Sequence, residues 1–119
     1  MLGIPLEDGS GLVFPFGALR GVGDLAAIQE TAPLSIVVFW DGEASAAMAY
    51  GPVIAGQSLT FEVRNGAFMD LETGSQWSID GKALSGPLVG NSLPKIPEAY
   101  VSFWFAFSQF YPNLHLWLP

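Results

Sequence analysis

Glycine and proline interrupt this chain at short intervals from one end to the other. Its 119 residues include 14 glycines and 9 prolines, spread without a fixed period. Both residues disfavour the interior of helices and strands, and segments this short are typical of β-strands joined by turns. The length fits one domain, 1–119. The sequence therefore predicts a single domain that is mainly β or α+β, built as an antiparallel sheet or barrel-like meander.

Two segments have the composition of strands in the first half of the chain. "SIVVFW", 35–40, is a continuous β-branched and aromatic run, which is typical of a strand buried on both faces. It is the best candidate for the central strand. "LVFPF", 12–16, predicts a short strand that is ended or edged by Pro15, because proline cannot donate to a sheet ladder.

The middle third has the signals of an antiparallel meander. Apolar and polar residues alternate over 59–64, which predicts a half-buried strand. An Asn-Gly dipeptide at 65–66 and an Asp-Gly dipeptide at 80–81 favour tight hairpin turns. Ala67 to Asp70 and Gln76 to Ile79 are then two further strands, separated by "LETGS".

Two short helices are expected beside the strands. In "GALRGVGDLAAIQE", Asp24 can cap a helix that starts at Leu25. In "VSFWFAFSQFYPN", most aromatic residues fall on one helical face, and Pro112 ends the segment. The aromatic positions on this face are Phe103, Trp104, Phe107, Phe110 and Tyr111. We expect one short N-terminal helix and one aromatic C-terminal helix, the latter packed on the sheet.

The aromatic C-terminal stretch has two interpretations. Apolar stripes are usually core, so most of it is expected to cover an open sheet face. Phe105 lies on the polar side of the helical wheel, and Trp117 lies in the terminal "LHLWLP". These two residues are the candidates for an interface with a protein partner or a second copy of the chain.

Composition limits the classes of ligand. Eleven acidic and four basic side chains give a net charge of -7, which disfavours nucleic acid. The absence of cysteine excludes disulfides, thiolate nucleophiles and cysteine-ligated metal sites. No run reaches the ~18 apolar residues that a membrane span requires. The first residues lack the basic start and apolar run of an export signal.

"DLETGSQW", 70–77, is the densest polar cluster. Asp70 and Glu72 could bind a hard cation or act as acid and base. A structural turn explains the same residues with fewer assumptions. Gly74 then adopts a conformation that other residues avoid, and the Ser and Thr hydroxyl groups hydrogen-bond within the loop. The candidate ligand-binding residues are Glu43, Asp70, Glu72, Thr73, Ser75 and Trp77.

No complete catalytic set accompanies this cluster. His115 is the only histidine, and no Gly-x-Ser-x-Gly elbow is present, so a serine triad has little support. The residue types also fall short of a zinc site. We therefore expect no metal or other cofactor, and whether the chain is an enzyme is left open.

"DLETGSQWSIDGKALSGPLVGNSL", 70–93, followed by "FWFAFSQFYPN", resembles bacterial and archaeal proteins grouped as domain of unknown function 3179. That pattern has Asp, then Glu/Gln-Thr-Gly-Ser-x-Trp, then Gly-x-Ala-x-x-Gly-Pro-Leu-x-Gly-x-x-Leu, and a Trp-rich helix ending in Pro. The matching positions are Asp70, Thr73, Gly74, Ser75, Trp77, Gly81, Ala83, Gly86, Pro87, Leu88, Gly90, Leu93, Trp104 and Pro112. The resemblance covers most of the chain and implies a common fold without implying an activity.

The chain departs from this family at one segment. Many members carry Cys-Pro-Leu-Cys-Gly-Thr after the buried strand, where this chain has "WDGEAS" with Trp40 and Glu43 at the cysteine positions. A thiol or metal role of those cysteines is therefore not transferred. Many members also have an export leader, which suggests an extracytoplasmic parent. A truncated reading frame and a cytoplasmic variant are both compatible with the start of this chain.

Two functional hypotheses follow from these residues. The first is a small β-rich binding or scaffold domain that uses apolar and aromatic contacts around the aromatic helix and the "ETGS" turn. The second is a small-ligand or metal-assisted enzyme site around Asp70, Glu72 and Ser75. The low charge and the incomplete catalytic set favour the first.

Overall fold

The computed structural model describes residues 2–5, 11–30, 35–96, 100–101 and 114–117. These residues form one helix and thirteen short strands. The helix is α1 (Phe16–Arg20). The strands are β1 (Leu2–Pro5), β2 (Gly11–Phe14), β3 (Leu25–Glu30), β4 (Ile36–Asp41), β5 (Ala46–Tyr50), β6 (Val53–Ile54), β7 (Gln57–Ser58), β8 (Phe61–Arg64), β9 (Ala67–Asp70), β10 (Gln76–Trp77), β11 (Ala83–Ser85), β12 (Tyr100–Val101) and β13 (Leu114–Leu116).

Hydrogen bonding arranges the strands into four sheets. Their orders are β12-β1-β2-β13, β11-β10-β9-β8, β3-β4-β5 and β6-β7. Neighbouring strands are antiparallel, except that β13 runs parallel to β2. The predicted mainly β class is confirmed. Among the described residues the sheets remain open, so the barrel-like part of the expectation does not become a closed barrel.

The strand β4 lies between β3 and β5 and separates two hydrophobic clusters. Ile36, Val38 and Trp40 belong to one cluster, whereas Val37 and Phe39 belong to the other. This alternation follows from the two-residue period of a strand, and all five side chains are fully buried. The prediction of a central strand buried on both faces is confirmed.

The second cluster is rich in aromatic side chains and supports the candidate site. Phe39 stacks on Phe68 with ring centroids 4.3 Å apart, and the ring of Phe61 meets that of Trp77 edge to face at 5.8 Å. Offset and edge-to-face pairs of this kind contribute beyond the area that they bury. The hairpins that carry the site therefore pack on the face of β4 that bears Val37 and Phe39.

Both predicted hairpin dipeptides form turns. Asn65 and Gly66 have φ angles of 53° and 72° and join β8 to β9, with Arg64 paired to Ala67. Positive φ at both central positions is the geometry that two-residue hairpins favour. The second turn uses Gly81, with φ of 78°, between β10 and β11. The alternation over 59–64 is confirmed near its start and ends with Val63 exposed.

The predicted helix after Asp24 is wrong. Its residues form β3, which pairs with β4 along its whole length, from Leu25 with Asp41 to Glu30 with Ile36. Pairing with a buried strand outweighs the helix propensity of leucine and alanine here. The N-terminal helix is α1, which begins directly after Pro15. Asp24 makes no helix cap, and its carbonyl oxygen accepts from the Gly42 amide at 2.7 Å.

A single glutamine side chain joins the sheet of β4 to the sheet that carries the candidate site. The Gln29 amide group donates to the Leu59 carbonyl oxygen at 2.7 Å and accepts from the Phe61 amide at 3.0 Å. The Gln29 side chain thereby bonds to one backbone group just before β8 and to another at the first residue of β8. Nothing in the sequence pattern singled out this residue.

The predicted aromatic helix, including Phe105, lies outside the described residues. Trp117 is described and half-buried, and its ring stacks on Phe14 with centroids 5.7 Å apart. The Trp117 amide donates to the Val13 carbonyl oxygen at 2.8 Å, which continues the parallel pairing of β13 with β2. In the ranges that the structure describes, no helix combines the length and the hydrophobicity that crossing a bilayer requires.

Candidate functional site

The polar cluster is the connection between two adjacent strands. Asp70 is the last residue of β9, and Trp77 ends β10, so the antiparallel pairing of these strands brings their side chains together. The turn between them is closed by backbone bonds from Asp70 to Ser75 at 3.1 Å and from Gly74 to Asp70 at 3.0 Å. Gly74 has φ of 73°. The turn interpretation of "ETGS" agrees with this geometry.

The carboxylate of Asp70 lies at the centre of the cluster and is fully buried. Its Oδ1 accepts from the Thr73 amide at 2.6 Å and from the Thr73 hydroxyl at 2.7 Å. Its Oδ2 accepts from the Trp77 indole N–H at 2.9 Å. A buried carboxylate is costly unless hydrogen-bonded, and these donors supply what water would otherwise give.

A directed chain of hydrogen bonds extends from this carboxylate. The Thr73 hydroxyl has one proton, which it gives to Asp70, so at its 2.7 Å contact with Ser75 it accepts. The Ser75 hydroxyl then accepts from the Leu88 amide at 3.0 Å. The "ETGS" turn is thereby tied to the loop that follows β11.

The loop at 86–90 can approach the turn only because it contains glycine. Gly86 has φ of 90°, and a Cβ atom there would lie 2.7 Å from the Cα of Ser75. Leu88 packs against the aromatic cluster from the same loop. "SGPLVG" therefore lies in contact with the "ETGS" turn, and Gly86 is a residue of the site whose partner the sequence did not reveal.

The remaining carboxylates of the candidate set point elsewhere. Glu72 is exposed, and its Oε1 accepts from the Thr60 amide at 2.7 Å. This hydrogen bond holds the pKa of Glu72 below its usual value. Glu43 is also exposed, in the turn between β4 and β5, where its amide donates to Asp41 Oδ1 at 3.1 Å. The structure therefore brings together Asp70, Thr73, Ser75 and Trp77, with Glu72 on the outside and Glu43 in another turn.

Within the described part of the chain, no three acidic or histidine side chains are grouped as metal ligands would be. Both oxygens of Asp70 already accept hydrogen bonds from the protein. What this arrangement does chemically is to hold a turn and a neighbouring loop in fixed positions. His115 pairs through its backbone in β13 opposite Leu12, on a different sheet from Asp70.

Trp40 and Glu43, the two positions that the sequence resemblance compares with cysteines, have different surroundings in the structure. Trp40 is buried, its indole N–H donates to the Gly23 carbonyl oxygen at 3.2 Å, and the guanidinium of Arg20 lies 5.4 Å from its ring centroid. Glu43, the second of these positions, lies three residues later and is exposed. The Arg20 guanidinium thus makes a cation–π contact with the buried indole of Trp40.

A tyrosine supports the second turn of the site. The Tyr50 hydroxyl donates to the Ile79 carbonyl oxygen at 2.7 Å, and its ring lies against Gly81, where a Cβ atom would be 2.6 Å from Cε1. Burial, and to a smaller extent the negative charge of Asp80, raise the pKa of Tyr50 to about 12. The tyrosine is therefore a neutral donor over the physiological pH range.

Residues 71–90 also present apolar side chains to solvent. Leu84 is 61% exposed, Val89 58% and Leu71 51%, which are the highest values among large hydrophobic residues in the described ranges. Sequence reasoning did not select these three residues. In the sequence they occupy positions that the family pattern leaves unspecified, so the pattern did not point to them.

Comparison with known families matches residues 4–114 to the family described as "Protein of unknown function (DUF3179)". Comparison with curated proteins and with solved structures gives no match. The residues of the pattern that make the contacts above, from Asp70 to Leu88, lie within the matched range. The match spans nearly the whole chain, and the chain belongs to the DUF3179 family.

Proposed function

We propose that this chain is a small binding or scaffold domain that makes apolar contacts through the segment from Leu71 to Val89. One observation carries the proposal. The polar groups of the signature are used inside the protein, while Leu71, Leu84 and Val89 on the same segment are more than half exposed. Exposed apolar side chains on a rigid frame are a feature of interaction surfaces.

Rigidity of the frame supports this function. The loop after β11 is held by the bond from the Leu88 amide to Ser75, and the Ala83 amide donates to the Asn91 carbonyl oxygen at 2.9 Å. A loop fixed in this way loses little conformational entropy when a partner binds. The hydrogen-bonded cluster around Asp70 then serves binding indirectly, as the support of the loop.

The first partner to test is a second copy of the chain, because half of its residues are hydrophobic and only 13% are charged. The test variant is Leu84→Ser/Val89→Ser. The matched control is Val22→Ser/Val53→Ser, which removes two less exposed apolar side chains outside this segment. Native mass spectra of all three chains over a range of concentrations are compared, before and after a metal chelator.

The proposal expects a concentration-dependent oligomer that the control retains and the test variant loses. A monomer at every concentration would remove self-association as the binding function. An ion that leaves with the chelator and is lost in an Asp70→Asn or Glu72→Gln variant would instead support the small-ligand or metal-assisted site. Circular dichroism spectra that match the parent chain establish that each variant is folded.

A further inference from the structure

The turn between β8 and β9 combines a reactive dipeptide with a protective conformation. Asn65 and Gly66 are both exposed and are the two central residues of the hairpin. Glycine has no side chain to hinder attack by its own backbone nitrogen on the preceding asparagine. The hairpin also carries Phe61 and Phe68 of the aromatic cluster, so a change in this turn affects the core.

We propose that Asn65 is a site of spontaneous deamidation and that opening of the β8–β9 hairpin controls its rate. The Gly66 backbone nitrogen gives its proton to solvent and bonds to Asn65 Cγ. The bond from Cγ to Nδ2 breaks, and the nitrogen leaves as ammonia. Water then opens the resulting cyclic succinimide at either carbonyl, leaving aspartate or isoaspartate. Water is the only co-reactant, and nothing is oxidised or reduced.

The closed turn holds the reacting atoms apart. Asn65 has φ of 53°, and the left-handed region that this angle defines pairs it with ψ of about 47°. At that ψ the Gly66 nitrogen is nearly anti to the Asn65 Cβ across the Cα–C bond, which directs it away from Cγ. Attack therefore requires rotation about ψ. That rotation breaks the turn and the adjacent pair of Arg64 and Ala67.

The two products differ in their effect on the hairpin. Aspartate keeps the length of the backbone and tolerates the left-handed conformation, so the turn can close again. Isoaspartate adds one carbon to the backbone within a two-residue turn, which prevents the original register from reforming. Because β9 ends at Asp70, loss of this register also disturbs the buried network.

The experiment incubates the purified chain at mildly alkaline pH, folded and in urea, and follows the peptides that contain Asn65 and Asn91 by mass mapping. Enzymatic methylation of isoaspartate distinguishes the two products. We expect deamidation at Asn65 to be slower in the folded chain by on the order of tenfold or more, because it proceeds only from the open hairpin. Asn91 is the internal comparison, since its side-chain amide donates to the Leu88 carbonyl oxygen at 2.9 Å.

Two further variants complete the test. Trp77→Phe, which weakens the hairpin at a distance from the turn, is expected to accelerate deamidation in the folded chain and to leave the rate in urea unchanged. Asn65→Asp is expected to fold like the parent chain, which assigns any loss of structure after incubation to isoaspartate. Equal rates in folded and unfolded chains, or an Asn65 that stays intact in urea, would overturn the proposal.

Discussion

The indole N–H of Trp77 donates to the carboxylate of Asp70 at 2.9 Å, and both side chains are buried. These residues lie seven positions apart and are joined by a turn that Asp70 itself closes through Thr73. The most polar residue of the family signature thus has a structural role. Protein donors replace the water that would otherwise solvate the Asp70 carboxylate. The same network holds the loop whose Leu88 amide bonds to Ser75.

The first prediction concerns this pair. Asp70→Asn replaces one acceptor oxygen by an amide donor that faces other donors, and we expect it to lower the free energy of unfolding by about 3 kcal/mol. A double-mutant cycle with Trp77→Phe, followed by urea unfolding, measures the coupling. We expect it to lie between about 0.5 and 3 kcal/mol. Asp80→Asn, at an exposed position, is the control, and equal effects at both aspartates would contradict the prediction.

The second prediction separates close approach from backbone strain. Gly86 and Gly90 have φ angles of 90° and 91°, but only Gly86 has a neighbour that a Cβ atom would strike. Alanine at either position meets the same conformational penalty. Gly86→Ala should be less stable than Gly90→Ala by about 1 kcal/mol or more, because the Ser75 backbone must move. Thermal unfolding of both variants checks this difference. Equal melting temperatures would contradict a close contact between position 86 and Ser75.

The third prediction concerns the glutamine that joins two sheets. Gln29→Met preserves length and removes both hydrogen bonds, leaving the Leu59 carbonyl and the Phe61 amide without their partner. We expect a loss of about 2 kcal/mol in the free energy of unfolding. Gln57→Met, at an exposed position in β7, is the matched control and should change stability by less than about 0.5 kcal/mol. Hydrogen exchange at the Phe61 amide should accelerate in Gln29→Met alone.

The fourth prediction is a pH dependence at Tyr50. Its pKa rises from 10.0 to about 12 on folding, chiefly because burial disfavours the phenolate. Between these values the unfolded chain loses the proton and the folded chain keeps it. The free energy of unfolding therefore falls as pH rises from 10 to about 12 and is unaffected below that window. The difference in ultraviolet absorbance between the parent chain and Tyr50→Phe reports the titration, and a midpoint near 10 would contradict the prediction.

Local sequence was sufficient for the features that depend on a few neighbouring residues. The Asn65-Gly66 hairpin follows from the tolerance of these two residues for positive φ. The buried strand at 36–41 follows from an uninterrupted apolar run, which fits a strand between two cores. The turn before Ser75 follows from Gly74 and from hydroxyl groups that bond to nearby backbone.

Contacts between residues that are far apart in the sequence could not be predicted from neighbouring residues. Leucine and alanine after Asp24 favour a helix in isolation, and only pairing with β4 makes them a strand. The bond from Leu88 to Ser75 and the bonds of Gln29 with Leu59 and Phe61 join segments that no periodicity relates. Sequence also grouped Glu43 and Glu72 with Asp70, although Glu43 lies in the turn after β4 and the Glu72 carboxylate accepts from Thr60 instead of from the donors around Asp70.

The sequence by itself determined the β class, the hairpin positions and the family, because turn propensities, strand alternation and motif spacing are local properties. Tertiary structure alone decided that the carboxylate of Asp70 is buried and that Leu84 and Val89 are exposed. Burial depends on which surfaces meet in the folded chain. Because the hydrophobic effect is non-directional, a short segment does not specify what it packs against.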